Sequence, residues 1–558
     1  MADQRRHPLL IAAIATGIVC VGLAMVTTMS YANAFAHPAR VAKLGGAIPA
    51  ATVRGAEFFR IALAAGAILI PLLTWQLVGR CAPSPNRAPS IMPNTRARWL
   101  WLLVVCAVGA FMRVALASQS LWYDEISAFL SFAIEGPSVA FGSYAVPTNH
   151  VPMTIAMWLA WTLTDSTAEL VLRAPALIAG IAAIPVAYAL AGTLFGQRAA
   201  IAGAAVIACA PIAVLESAEA RGYPFVIFGA LVAALALARA EITRAASDYA
   251  LFAVACAFAA WSHPVAILVP ICAGIVGLWR DHRLALAALL AGVIATVLLS
   301  PLAGDVLATR ASYTHISADQ PTIFSREGFE AMVGLALAWS GRGDFFVNYI
   351  LVGIASLSAL RLLRERSNQM HRARLVLLPF ALAFLLAFAL AFTLGTWIYA
   401  RFLLFAFPIG TVLLVIAVLA REERRWIAWM TSALLLVGAL ISIASFRSKQ
   451  PIRDGVELVA HARALGADGA VATIGLPDNA VGFYARLHGF EAKPTGFLGE
   501  GLARVIESDH PRFIIVLYPD RLDRLTATTL ADGYHRTDRL EGWADWGQGA
   551  VEVWQRSP

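Results

Sequence analysis

Residues Trp99–Ser118 are apolar apart from Arg113 and the closing serine, and they lead into Ser120-Leu121-Trp122-Tyr123-Asp124-Glu125. A helix rises about 1.5 Å per residue, so about 20 apolar residues match the hydrocarbon thickness of a bilayer. Trp and Tyr favour the headgroup level, and ionised carboxylates do not enter hydrocarbon cheaply. Asp124 and Glu125 therefore mark the water edge of a transmembrane span. Two adjacent acids there read either as a solvated helix end or as a site held at the membrane surface.

Composition extends that reading to the whole chain. At 558 residues, 59% hydrophobic and only 14% charged, a soluble domain could not cover so much apolar surface, so the expected class is an all-α polytopic membrane protein. The net charge of +8 is nearly all arginine, because the only lysines are Lys43, Lys449 and Lys493. The arginines gather between apolar runs, which is a topology signal and gives no nucleic-acid partner. Cys20, Cys81, Cys106, Cys209, Cys256 and Cys272 lie in or beside apolar runs without metal-ligand spacing, so neither a disulfide framework nor a zinc site is expected.

Arginine-rich short loops set the orientation. The spans predicted are 8–28, 59–79, 99–118, 170–193, 199–215, 223–238, 248–261, 264–279, 284–301, 346–363, 376–394, 402–420 and 426–445, thirteen in all. This places the N-terminus in the cytoplasm and Asp124 on the outer side of a multi-pass plasma (inner) membrane protein. Arg40, Lys43 and Arg54 contradict the rule, since they make the first outer loop basic. Residues 151–164 are too few to span and carry Trp158 and Trp161, which fits an interfacial or re-entrant helix. Three parts follow: an N-terminal hairpin with a basic cytoplasmic loop (1–98), a transmembrane catalytic domain with outer loop 119–169 (99–445), and a small α/β extracytoplasmic, periplasmic domain (446–558). In the last, helical patterns at 453–464, 478–487 and 521–531 alternate with apolar strands at 470–474 and 513–518.

Polar groups collect at the span ends of one face: Arg113, Asp124, Glu125, Asn149, His150, Glu216, Glu219, Arg221, His263, Tyr399 and Arg401. A transporter, such as a flippase for lipid-linked sugars, would place its binding groups near the bilayer midplane. Carboxylates beside arginines at the interface instead suit a reaction between a phosphate-bearing lipid and a hydroxyl or amine acceptor.

Six motifs in order then resemble a known family. They are Leu121-Trp-Tyr-Asp-Glu125, Asn149-His-Val-Pro152, Leu172-Arg-Ala-Pro175, Leu194-Phe-Gly-Gln-Arg198, Glu219-Ala-Arg-Gly-Tyr223 and Tyr399-Ala-Arg401-Phe-Leu-Leu-Phe-Ala-Phe-Pro408. Together they resemble the GT-C integral-membrane glycosyltransferases of the protein mannosyltransferase and aminoarabinose transferase type, over roughly residues 99–445. His-Val-Pro where His-Pro-Pro is common, Phe402 where Tyr is frequent and Ser262-His263-Pro264 where Thr-His-Tyr is frequent blur the subfamily.

The resemblance implies inverting transfer from a polyprenyl-phosphate sugar to a lipid, protein or cell-envelope glycan. By it, Asp124 is the candidate general base, and Arg221 and Arg401 stabilise the leaving phosphate. Glu125 positions Asp124 or binds a metal or the acceptor, and Glu219 is a second carboxylate. His150, Asn149, Tyr399 and Tyr123 are candidate substrate-binding residues, with helix capping as the competing role for His150 and membrane anchoring for Tyr123. A divalent metal is left open, and no other cofactor is implied.

Overall fold

The computed structural model describes residues 8–81, 93, 95–314, 345–394, 400–419, 433, 437, 448–475, 479–495, 499–542, 544 and 549–557. Apolar helices dominate them, in keeping with the composition. Among the described residues seven helices are long and apolar enough to cross a membrane, and two bent pairs raise that to as many as nine. The span expected at 426–445 lies, apart from positions 433 and 437, outside the described residues.

The N-terminus departs from the sequence reading. Instead of one span over 8–28, α1 (Pro8–Ala24) stops and the chain turns by 91° into α2 (Thr28–Phe35). Thr27 causes the break: its backbone is extended and its hydroxyl accepts from the Ser30 amide, an N-cap that starts a new helix. After the short α3 (Pro38–Lys43), the helix expected at 59–79 is the 31-residue α4 (Ala50–Arg80). Arg54, Glu57 and Arg60 hid its first turns from a hydropathy reading. Arg60 instead ties the helix to its neighbours, donating to the Ala24 carbonyl and the Thr28 hydroxyl.

Helix α5 is Arg96–Ala117, the predicted span, and it delivers the chain to α6 (Tyr123–Ala128). A π-turn over Phe129–Ala133 and α7 (Pro137–Gly142) lead to α8 (Val151–Thr164), which is the expected 14-residue apolar helix. Helix α9 (Glu169–Phe195) follows. The span expected at 199–215 is broken: α10 (Gln197–Cys209) and α11 (Pro211–Ser217) meet at 56°. Pro211 lacks an amide proton and begins the second piece. The carbonyls released at the break are taken by Arg113, whose Nη1 donates to Ala208 and whose Nη2 donates to Ile207. Arg113 thus points inward, fully buried, where a helix-end arginine would have been expected to snorkel outward.

Three further helices, α12 (Tyr223–Thr243), α13 (Ala246–Ser262) and α14 (Leu268–Arg280), complete this half before α15 (His282–Thr314). Turns at the end remote from Asp124 are laced by ion pairs, Arg239–Asp248, Arg280–Glu241 and Arg244–Asp281, all at 2.8–3.0 Å. Backbones of α4 and α15 touch: a Cβ on Gly55 would stand 2.2 Å from the Pro301 carbonyl oxygen, and one on Gly304 only 2.0 Å from that of Ala51. Small residues permit such close crossings. The N-terminal helices are therefore packed into the bundle. Arg40 joins them to it a second time, donating to both oxygens of Asp305, which also accepts from the Tyr144 amide. The basic first loop thus shares the face of loop 119–169, and its charge is met by an acid from the far end of α15.

The C-terminal unit is a five-stranded sheet in the order β2-β1-β3-β5-β4, with β1 Val471–Ile474, β2 Ala492–Pro494, β3 Phe513–Leu517, β4 Tyr534–Leu540 and β5 Val551–Arg556. β1 pairs in parallel with β2 and β3, while β5 runs antiparallel to β3 and β4. All of β3 is buried because helices cover both faces. One face packs Leu502, Val505 and Leu530 against Ile514 and Val516. The other, with Ile452, Val456, Val481, Phe513 and Ile515, merges into one apolar core with Leu121, Ile126, Phe129 and Met153 of the outer loop. The sheet is docked on the segment that carries Asp124.

Candidate active site

Trp122 organises the cluster. It is wholly buried, and three cations surround its ring: the Arg221 and Arg401 guanidinium carbons each 5.8 Å from the centroid and the Lys449 ammonium at 3.7 Å. A ring face attracts cations most strongly where water is excluded. The aromatic read as a membrane anchor is instead an internal platform.

The two adjacent acids are separated by the start of α6. Glu125, three residues after the helix-capping Trp122, turns back and accepts from the Trp122 amide at 3.0 Å. Its other contacts come from Arg173 of α9, whose Nε and Nη2 donate at 2.8 and 2.6 Å, and from the Ala220 amide. Arg173 also donates to the carbonyls of Ala117, Gln119 and Ser120 at the end of α5. Glu125 thereby joins α5, α6, α9 and the Ala218–Gly222 turn, with both oxygens engaged. Asp124 has a different partner, pairing with Arg221 Nη2 at 3.1 Å.

Arg221 follows from a tight turn. α11 ends at Ser217, and α12 begins at Tyr223 with Pro224, so Glu219 and Arg221 sit on the short link between them. Gly222 is required there, because a Cβ would fall 2.7 Å from His150 Nδ1 and 2.8 Å from the Ser262 carbonyl oxygen. Arg221 Nη1 donates to the Thr148 carbonyl, while Nε finds no partner among the described residues. Glu219 accepts from Lys449 at 2.8 and 2.7 Å. Glu216 shares this electrostatic neighbourhood with Glu219, Lys449, Arg401 and Arg221, and its Oε2 has no hydrogen-bond partner among the described residues.

His150 and His263 form the wall behind the arginines. His150 Nδ1 lies 3.0 Å from the Ser262 carbonyl oxygen, and its ring is 4.9 Å from Tyr223 and 5.6 Å from His263. The ring of His263 in turn stacks 4.7 Å from Phe402, next to Arg401. Burial first, and then Arg221 and the other nearby cations, hold His150 well below the usual imidazole range and push His263 down to about 3. Both rings are neutral in the folded protein near pH 7. An unfolded chain takes up those protons below about pH 6.5, so this stability is complete above that value and is lost as pH falls toward the folded value. We predict that His263→Gln flattens the fall in thermal midpoint between pH 7 and pH 5, removing up to about 2 kcal/mol of pH-dependent stability. Parallel profiles for wild type and variant would refute it.

Other expected residues lie elsewhere. Asn149 donates to the Ala140 and Ser143 carbonyls, both at 2.8 Å, and so folds the loop before α8. The Tyr123 ring meets Tyr518, just after β3 of the C-terminal unit, edge on at 5.7 Å. Tyr399 falls outside the described residues. Among the described residues no three His, Cys, Asp or Glu side chains gather to hold a metal ion. Asp124, Glu125 and Glu219 are each matched to an arginine or lysine. Two members of the cluster went unrecognised in the sequence. Arg173 stood inside a motif without an assigned role, and Lys449 was signalled only by the rarity of lysine.

No curated protein matches the chain in sequence. Among solved structures, ArnT from Cupriavidus metallidurans bound to undecaprenyl phosphate is similar at 13% identity and TM-score 0.48, covering 82% of this chain and 98% of that one. An Archaeoglobus fulgidus oligosaccharyltransferase in complex with Zn and sulfate is similar at 13% identity and TM-score 0.45, covering 75% of this chain and 68% of that one. Residues 149–313, which carry His150, Arg173, Glu219, Arg221 and His263, match the family model described as dolichyl-phosphate-mannose-protein mannosyltransferase, and over that segment the resemblance to membrane glycosyltransferases read from the motifs is borne out.

Proposed function

We propose that the protein transfers a glycosyl group from a polyprenyl-phosphate donor to an acceptor hydroxyl or amine at the outer face of the plasma membrane, with the C-terminal sheet on that side. The observation that carries this reading is the buried cluster around Trp122, where Arg221 pairs with Asp124 and shares the ring with Arg401 and Lys449. In the reaction, Asp124 takes the acceptor proton as the new bond to the anomeric carbon forms. The bond from that carbon to the phosphate oxygen breaks, and its electron pair leaves with the phosphate. That group is a weak base, so it needs positive charge more than a proton. Arg221 and Arg401 supply it from fixed positions in a water-poor site.

Membranes containing the protein are expected to move radiolabel from at least one of a panel of polyprenyl-phosphate sugars into a lipid, protein or glycan fraction. If no donor gave transfer while labelled lipid crossed between leaflets, the protein would be a transporter and this reading would fall.

A further inference from the structure

Lys449 belongs to the linker that opens the C-terminal unit, yet its side chain ends inside the membrane-proximal cluster, 230 residues from Glu219 in sequence. Its backbone is gripped by the far end of the same unit. The Lys449 carbonyl accepts from the Ala544 amide at 2.9 Å, and a Cβ on Gly542 or Gly549 would stand 2.7 or 2.5 Å from that oxygen. The next residue, Gln450, is wholly buried and accepts from the Tyr123 amide. Arg453 extends the seam, donating from its amide to the Ser120 hydroxyl and from its guanidinium to Glu169. The β4–β5 connection and the linker thus fix one ammonium against Trp122, 5% exposed.

We propose that Lys449 is a direct ligand of the lipid-borne phosphate, so that the C-terminal unit completes the donor site; the proposal rests on the polyprenyl-phosphate reading above. The ammonium shares its ring platform with Arg221 and Arg401, so an anion reached by those two is within a lysine side chain's sweep of it. Lysine suits the task because it is a compact charge on a flexible stem and exchanges partners more readily than a forked guanidinium. Glu219 holds it while the site is empty, since an unpaired ammonium could not stay buried there. On binding, the phosphate takes over as the partner of Lys449, and Glu219 is released to accept from the sugar or the acceptor.

The test is binding of a C55 polyprenyl phosphate, and of the polyprenol of the same length, to the full chain in nanodiscs. Wild type is compared with Lys449→Gln, Lys449→Arg, Glu219→Gln and the double variant Lys449→Gln/Glu219→Gln. Loss of a charge-assisted hydrogen bond to phosphate should weaken the phosphate lipid by about tenfold or more in Lys449→Gln, leave the alcohol unchanged and be largely recovered in Lys449→Arg. The double variant decides between roles. If Lys449 only neutralised Glu219, removing both charges would restore wild-type affinity and overturn the proposal. If it contacts the phosphate, the double variant stays weak. A wild type that failed to prefer phosphate over alcohol would overturn the donor reading and this inference together. Preference retained by Lys449→Gln would overturn this inference alone.

Discussion

Asp124→Asn is expected to cut glycosyl transfer by a factor of ~10² or more while leaving the fold and donor binding in place, because the amide keeps the shape of the carboxylate but cannot accept a proton. The local charge makes the prediction sharper than a simple loss of activity. Asp124 is the ion-pair partner of Arg221, 3.1 Å away, and removing its charge leaves Arg221 with more attraction to spare. Affinity for the polyprenyl phosphate should therefore hold or rise as turnover collapses. Single-turnover transfer and equilibrium binding measured on the same nanodiscs separate the two. Transfer at the wild-type rate would remove Asp124 from the chemistry. Equal losses of binding and turnover would instead make it a structural partner of Arg221.

The second large effect is on stability. Arg173→Met leaves Glu125 buried without its bidentate partner and strands the carbonyls that close α5, so a loss of roughly 3–5 kcal/mol is expected. Glu125→Gln is destabilising as well, because its single amide oxygen can accept from the amide of Trp122 or from that of Ala220 but not from both, the carboxylate meeting the two with different oxygens. Combining apolar replacements at both positions should cost less than the sum of the two single changes, since neither charge is then left alone. Thermal unfolding in detergent across that double-mutant cycle is the measurement. Additive losses, or a change below about 1 kcal/mol for Arg173→Met, would mean that the pair does not hold the segment.

How much of this was legible in the sequence depends on whether the physics was local. The run from Trp99 into Asp124 declared its own helix and its own water edge, and α5 and α6 appear there. The 14-residue, mainly apolar run of α8 announced a helix too short to span. What hid was determined by partners far along the chain. Nothing near Glu125 in sequence reveals that Arg173, 48 residues on, pairs with its oxygens. Lys449 sat in a polar linker and gave no sign of reaching Glu219. The break between α10 and α11 was signalled by Pro211, yet an apolar run on both sides masked it. In the C-terminal unit, strand β3 was legible from its unbroken apolar residues and β1 from a run broken only by Thr473. β4, an edge strand reading Tyr534-His-Arg-Thr-Asp-Arg-Leu540, has mostly solvent-facing polar side chains and so carries no hydrophobic alternation to read.

The pairing of Arg40 with Asp305 also bears on how the chain is made. The arginine emerges 265 residues ahead of the acid that receives it, and α4 meets α15 through glycines that late in the sequence too. A nascent chain holding only the first helices has a cation without its partner and a glycine-lined seam without its mate. The start of this protein consequently reaches its final place only after the middle has been synthesised, and the order of translation is not the order of assembly.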